Sequence, residues 1–230
     1  MVRSQEPTVA FSQDAETLFQ RSLARYIQAN YLASRDSFTE LVEEHPTNQR
    51  TSAARLMLAK SHYKLREYNL ALVAANELYE KFPYSRYLAE ADLLIGDCYF
   101  HQGQTYSAAA QFARVLTAKA GIPLKARAAD RLGQMAGADK LTDRDIERLR
   151  ADFGRKIIDE AVAFGQARWP EKLGNASESD KLLAMFLERF PNGYLEPLVR
   201  TRLLSRKRVK EPTKVAEPAG PQEIEDDPTK

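Results

Sequence analysis

Three histidines, His45, His62 and His101, and one cysteine, Cys98, are the side chains best suited to metal or nucleophile chemistry. A zinc site wants His, Cys or carboxylate ligands at short fixed spacings such as HExxH. No such cluster accompanies these residues: His45 precedes Pro46, and His62 and His101 fall in or just after helical segments. They read as surface or groove histidines. Cys98 stands between Asp97 and Tyr99 with no basic neighbour to lower its thiol pKa, so it reads as a small buried hydrophobe. A lone cysteine also excludes an intrachain disulfide. The carboxylate pairs Glu43-Glu44 and Asp226-Asp227 are adjacent in sequence. Adjacent helix positions diverge by about 100°, so the two acids do not face each other and read as solvated. GxGxxG, GxxxxGK[ST] and GxSxG are all missing, so nothing cradles a nucleotide phosphate or presents a serine nucleophile. No cofactor, metal or catalytic residue is expected. An enzyme would need a polar pocket in 136–180, near Arg168 and Trp169.

Charge points the same way. The 34 basic and 32 acidic side chains leave a net charge of +2, too little for the bulk field to seek a polyanion. The strongest local cluster is Arg200, Arg202, Arg206, Lys207, Arg208 and Lys210. Its simplest reading is cations complementing a helix C-terminus. Anionic lipid and nucleic acid are the alternatives. No interleaved aromatics offer base stacking, so no nucleic acid partner is expected, and Glu223 to Asp227 could fold back and screen the cluster. No run approaches the ~18 apolar residues of a membrane span. Met1 to Ala10 holds no apolar core of a signal peptide. Membrane attachment is therefore expected only through an N-terminal anchor outside this sequence. The single cysteine leaves the compartment open.

The elements that would position any site come from an internal repeat. Tyr26, Tyr63 and Phe100 stand 37 residues apart, as do Phe19, Leu56 and Leu93. The small residues Ser22, Ala59, Gly96 and Gly133 keep the same step, and so do Tyr31, Tyr68 and Thr105. Ser34, Ala71 and Ala108 form another column, followed by Phe38, Ala75 and Phe112, and by Leu41, Leu78 and Val115. Pro46 and Pro83 close the first two units. Within a unit, Leu56, Ala59 and Tyr63 share one face of a first helix, and Tyr68, Ala71, Ala75 and Leu78 one face of a second. A polar turn, Lys64 to Glu67, joins them, and proline stops the second helix. Gly96 and Ala108 are expected where helices cross, because only small side chains allow close approach there. The aromatic column is either the packing ridge of each pair or a ladder lining a peptide groove.

After Gly121 the pattern loosens. Leu124 to Met135 reads as a first helix. Thr142 reads as an N-cap with an acidic first turn, opening one long helix through Ile146, Leu149, Phe153, Ile157, Ala161 and Phe164 that stops near Trp169-Pro170. Gly174 to Ser179 reads as loop and cap, Asp180 to Phe190 as a helix, and Leu195 to about Lys210 as a capping helix.

These columns resemble tetratricopeptide repeats. The signature is a small residue and a late aromatic in the first helix, Tyr then a small residue in the second, and a closing proline. Here it is carried by Ala59, Tyr63, Tyr68, Ala71 and Pro83, and by Ser22, Tyr26, Tyr31, Ser34 and Pro46. The endings at His45-Pro46, Phe82-Pro83 and Phe190-Pro191 are similar to the longer repeats of bacterial envelope proteins. These include outer-membrane assembly lipoproteins, the Tol-Pal coordinator and the N-terminal helical region of lipoprotein activators of penicillin-binding proteins. The resemblance implies an all-α solenoid of helical hairpins that is non-catalytic and binds a protein or peptide. It implies a periplasmic or outer-membrane setting, with a cytoplasmic adaptor as the alternative. In that family first helices line the binding surface, which makes Lys60, Lys64, Asp97 and His101 the candidate partner contacts. The expected layout is a 1–14 extension, three repeats over 15–120, divergent repeats and a cap over 121–210, and a disordered Pro/Glu-rich linker at 211–230 leading to a further domain.

Overall fold

The computed structural model describes residues 12–210. The linker at 211–230 and all but the last three residues of the 1–14 extension lie outside the described residues. The described residues are all-α, an array of helical hairpins. Ser12 caps α1 (Gln13–Ile27) by accepting from Ala15 N, and Asn30 caps α2 (Tyr31–Glu44). Two further pairs follow: α3 (Thr51–Lys64) with α4 (Tyr68–Lys81), and α5 (Leu88–His101) with α6 (Thr105–Thr117). The turns between paired helices are tight. Ala29 and Arg66 take positive φ of 59° and 63°, and Gly103 takes 77°, at the same place in each unit.

The aligned columns occupy equivalent places. Ser22, Ala59 and Gly96 are buried, as are Ser34, Ala71 and Ala108, then Phe38, Ala75 and Phe112, and Leu41, Leu78 and Val115. Gly96 shows why the small column is small: a Cβ there would sit 2.5 Å from the Phe112 ring. Serines in these columns satisfy their hydroxyls locally, Ser22 on the Leu18 carbonyl at 2.7 Å and Ser34 beside Ser61 at 3.2 Å.

From α7 (Ile122–Gly137) the order changes. The single long helix expected over 142–169 is two: α8 (Asp143–Phe153) and α9 (Arg155–Lys172). Thr142 and Asp145 form a reciprocal capping box at the start of α8. Gly154, at φ 97°, then ends the helix by a conformation that L side chains rarely adopt. The apolar period continues through the break, so the pattern alone conceals it. α9 also runs past the expected stop at Trp169-Pro170. Proline in a last turn removes one ladder bond, and the Pro170 carbonyl still accepts from Leu173 N at 3.0 Å and Asn175 N at 2.8 Å. α10 (Ala176–Arg189) starts earlier than expected, because its cap is Asn175, whose side chain accepts from Glu178 N at 3.1 Å. α11 (Glu196–Lys210) ends the described chain.

Between α1 and α7 each helix packs on its sequence neighbours; beyond it α7 packs directly on α9, while α8 lies against α9 and α6. Two glycines make the α7–α9 crossing possible. A Cβ on Gly165 would lie 2.5 Å from the Gly133 Cα and 2.6 Å from the Ala129 carbonyl oxygen.

Candidate partner-binding cleft

The helix pairs bring the first helices α1, α3, α5 and α7 to one face, and a cleft of about 350 Å³ opens across them. Lys60, Lys64 and Asp97, three of the four candidate contacts, are in its lining. Tyr26 and Tyr63 supply aromatic wall, Leu93 and Leu94 apolar floor. Three charged residues complete it: Glu90, Arg127 and Arg131. The 37-residue step could have found the two arginines, since it carries Glu90 to Arg127 and Leu94 to Arg131.

Four cations face two carboxylates, so the cleft carries excess positive charge. Lys60 Nζ donates to Glu90 Oε1 at 2.7 Å, and Arg131 Nε to Asp97 Oδ1 at 2.8 Å. Burial raises the Asp97 carboxyl above its ordinary range, and Arg131 and Arg127 only partly offset that. Arg127 and Lys64 are exposed. Lys64 lies 6.0 Å from the centre of the Tyr31 ring.

His101 is placed differently from the other three expected contacts. It sits beside the cleft rather than in its lining. Its ring stacks on Tyr68 with centroids 5.1 Å apart and planes 2° from parallel, and its Nε2 lies 3.0 Å from the Tyr63 hydroxyl. Burial pushes that hydroxyl up to about 12, so it stays neutral. The aromatic column both packs within the hairpins and faces the cleft. Tyr26 packs on Tyr31 at 5.3 Å and Tyr63 on Tyr68 at 5.7 Å, closing each hairpin, while Tyr26 and Tyr63 remain half-buried and line the cleft. In the third unit Thr105 offers no ring, and Lys140 lies over Phe100 instead, 4.7 Å from its centroid.

Cys98, His62 and Arg168 are each held by their neighbours. Cys98 is fully buried and its thiol is pushed up to about 12 by burial. His62 Nδ1 lies 2.7 Å from Glu67 Oε2. Arg168 donates to Asp130 at 2.5 Å, which holds α9 to α7. The described basic side chains of α11 are held in ion pairs. Arg200 pairs with Glu196, Arg202 with Glu171, and Arg206 with both Glu171 and Asp180. Among the described residues, no group of three or more His, Cys, Asp or Glu side chains could hold a metal ion. No described helix is long and apolar enough to cross a membrane.

Residues 12–122 match the YfiO family model of outer membrane lipoproteins. Over this segment the fold is tetratricopeptide-like, and the chain is similar there to envelope lipoproteins. The match spans α1 to α6 and stops as α7 begins, where the regular packing order also ends. Of the charged cleft residues, Lys60, Lys64, Glu90 and Asp97 lie inside the matched segment, and Arg127 and Arg131 lie just past it. Among curated proteins none matches the chain.

Proposed function

We propose that this chain is a non-catalytic interaction scaffold of the bacterial envelope, the N-terminal helical part of a larger lipoprotein or periplasmic protein. It holds a protein or peptide partner against the first-helix cleft. The observation that carries this reading is the cleft itself, built by four successive first helices with aromatic wall, apolar floor and surplus positive charge. Its chemistry suits an extended segment that brings a carboxylate to Arg127 and Lys64 and an apolar side chain to Leu93 and Leu94. Lys60 and Asp97, already paired to Glu90 and Arg131, would set the register of that segment. His101, locked on Tyr63 and Tyr68, would stiffen the wall. The outer-membrane-lipoprotein match of residues 12–122 supports the envelope setting, and outer-membrane assembly or peptidoglycan-synthase activation is the process proposed.

The test is binding of a fluorescent apolar peptide ending in two acidic residues, against the same peptide ending in lysines. Lys64→Glu and Arg127→Glu are each expected to weaken the acidic peptide about tenfold, or about 1.4 kcal/mol. Equal affinity of the two peptides, or indifference to both reversals, overturns the assignment of the cleft.

A further inference from the structure

The altered helix order in the C-terminal half leaves a second trough unlike the first. Because α7 meets α9 directly and α8 is set aside onto α6 and α9, one flank of α9 is not covered by a neighbouring helix of a regular pair. Two cavities of about 500 and 480 Å³ lie along it, and they share Ala163, Gln166 and Arg189. They form one trough bounded by α8 on one side and α10 on the other. Its floor is Ala163 and Ala167, small enough to admit another helix at close approach. Its apolar wall is Leu182, Met185 and Phe186, with Met185 61% exposed. Its rim carries Asp143, Glu147, Asp159 and Glu188 against Arg150 and Arg189; Glu147 and Asp159 are paired with Arg150, and Glu147 also with Arg155, which leaves Asp143 and Glu188 as the acids turned to a partner. That sign is opposite to the first cleft.

We infer that the trough between α8, α9 and α10 receives an amphipathic helix from a partner, with an apolar stripe flanked by basic residues. The apolar stripe would lie on Ala163, Ala167 and Met185, and the basic flank would face Asp143 and Glu188. Asp143 and Glu188 are exposed on the two sides of the trough, so a helix lying along it could meet both. An acidic helix would meet the same rim with like charge.

The probe is a labelled Leu/Lys peptide of about 18 residues with its leucines on one helical face. Its controls are a Leu/Glu peptide with the same spacing and a scrambled Leu/Lys peptide. Each is titrated against the whole chain by fluorescence anisotropy. The facially amphipathic Leu/Lys peptide is expected to bind tightest. Met185→Asp should weaken it about tenfold and Glu188→Lys about threefold, while Lys60→Glu with Lys64→Glu leaves it unchanged. Both weakening substitutions are at exposed positions, and circular dichroism verifies their fold. Equal binding of either control, insensitivity to Met185→Asp, or equal loss in the Lys60/Lys64 variant overturns the proposal. So does self-association in sedimentation velocity that Met185→Asp abolishes, since the occupant is then a second copy of this chain.

Discussion

Up to α7, helices follow one another in space as they do in sequence, and columns of Ala, Ser, Leu and Phe make the repeated contacts, with ion pairs such as Arg55–Glu77 and Lys60–Glu90 beside them. Past α7 the chain skips a helix, and polar groups take over part of the holding. Asp130 and Arg168 link α7 to α9; Glu171 gathers Arg202 and Arg206 from α11. Glu160, 1% exposed, reaches the backbone N–H of Leu195 at 2.8 Å where α11 begins. The contrast shows two ways to stack helices. A regular column tolerates exchange among small apolar residues because each unit repeats the same contacts. A skipped helix demands particular residues at particular points, because backbones touch and buried polar groups must find partners.

Glycine substitution separates the halves most sharply. Gly165→Leu puts a side chain into the α7 backbone, where no rotamer relieves the clash. We expect loss of about 3 kcal/mol or more, seen as a lowered denaturation midpoint. Gly137→Ala, on the same α7 with nothing within 4 Å, should gain about 0.5 kcal/mol from helix propensity. If Gly165→Leu is as mild as Gly137→Ala, the direct crossing is wrong.

Glu160 comes next. Glu160→Ala strands the Leu195 N–H in a buried site and should cost about 2 kcal/mol, with faster hydrogen exchange confined to α11. Glu160→Gln keeps an acceptor and removes the charge. Burial raises this carboxyl above its ordinary value of 4.5, although the Leu195 and Tyr194 backbone N–H groups pull it down. The folded state then holds the proton to higher pH than the unfolded chain. Its contribution is full below about 4.5 and is lost as pH rises through the folded value. Glu160→Gln should flatten that part of the stability–pH curve relative to the parent. An unchanged curve places the dependence on another of the buried acids, Asp92, Asp97 or Asp130, which burial also raises.

How much of this was legible follows from the same contrast. The columns at Ser22, Ser34, Phe38 and Leu41 announced the regular pairs because each contact is repeated 37 residues on. Lys60, Lys64 and Asp97 follow from the repeat because first helices share a face, which is where the cleft opens. Arg127 and Arg131 were missed where the column signal lapsed, although the spacing still held. Gly154 was invisible because the apolar period runs through it, and only its φ of 97° breaks the helix. The Gly133–Gly165 crossing depends on two glycines 32 positions apart, a separation that no repeat encodes. The ion pairs of Arg202 and Arg206 could not be read, since their carboxylates belong to α9 and α10, whereas Arg200–Glu196 is an i,i+4 pair within α11.

The smallest expected effect compares ion pairs across the divide. Arg21 and Glu40 join α1 to α2 at 3.8 Å with both side chains about half exposed. Arg168 and Asp130 join α9 to α7 at 2.5 Å with 23% and 16% of their side chains exposed. Water and salt screen the first pair, and holding two long side chains costs entropy, so a double-mutant cycle should return about 0.3 kcal/mol or less. The second pair is shielded, yet burial still raises Asp130 despite its arginine, which means that desolvation outweighs the attraction. Its coupling should be about 1 kcal/mol, while each single removal costs more than the coupling because the other charge is left buried. Raising salt should erase the first coupling and leave most of the second. Equal couplings would mean that shielding from water adds nothing to an ion pair here, and the α7–α9 crossing would owe no more to Arg168–Asp130 than α1–α2 owes to Arg21–Glu40.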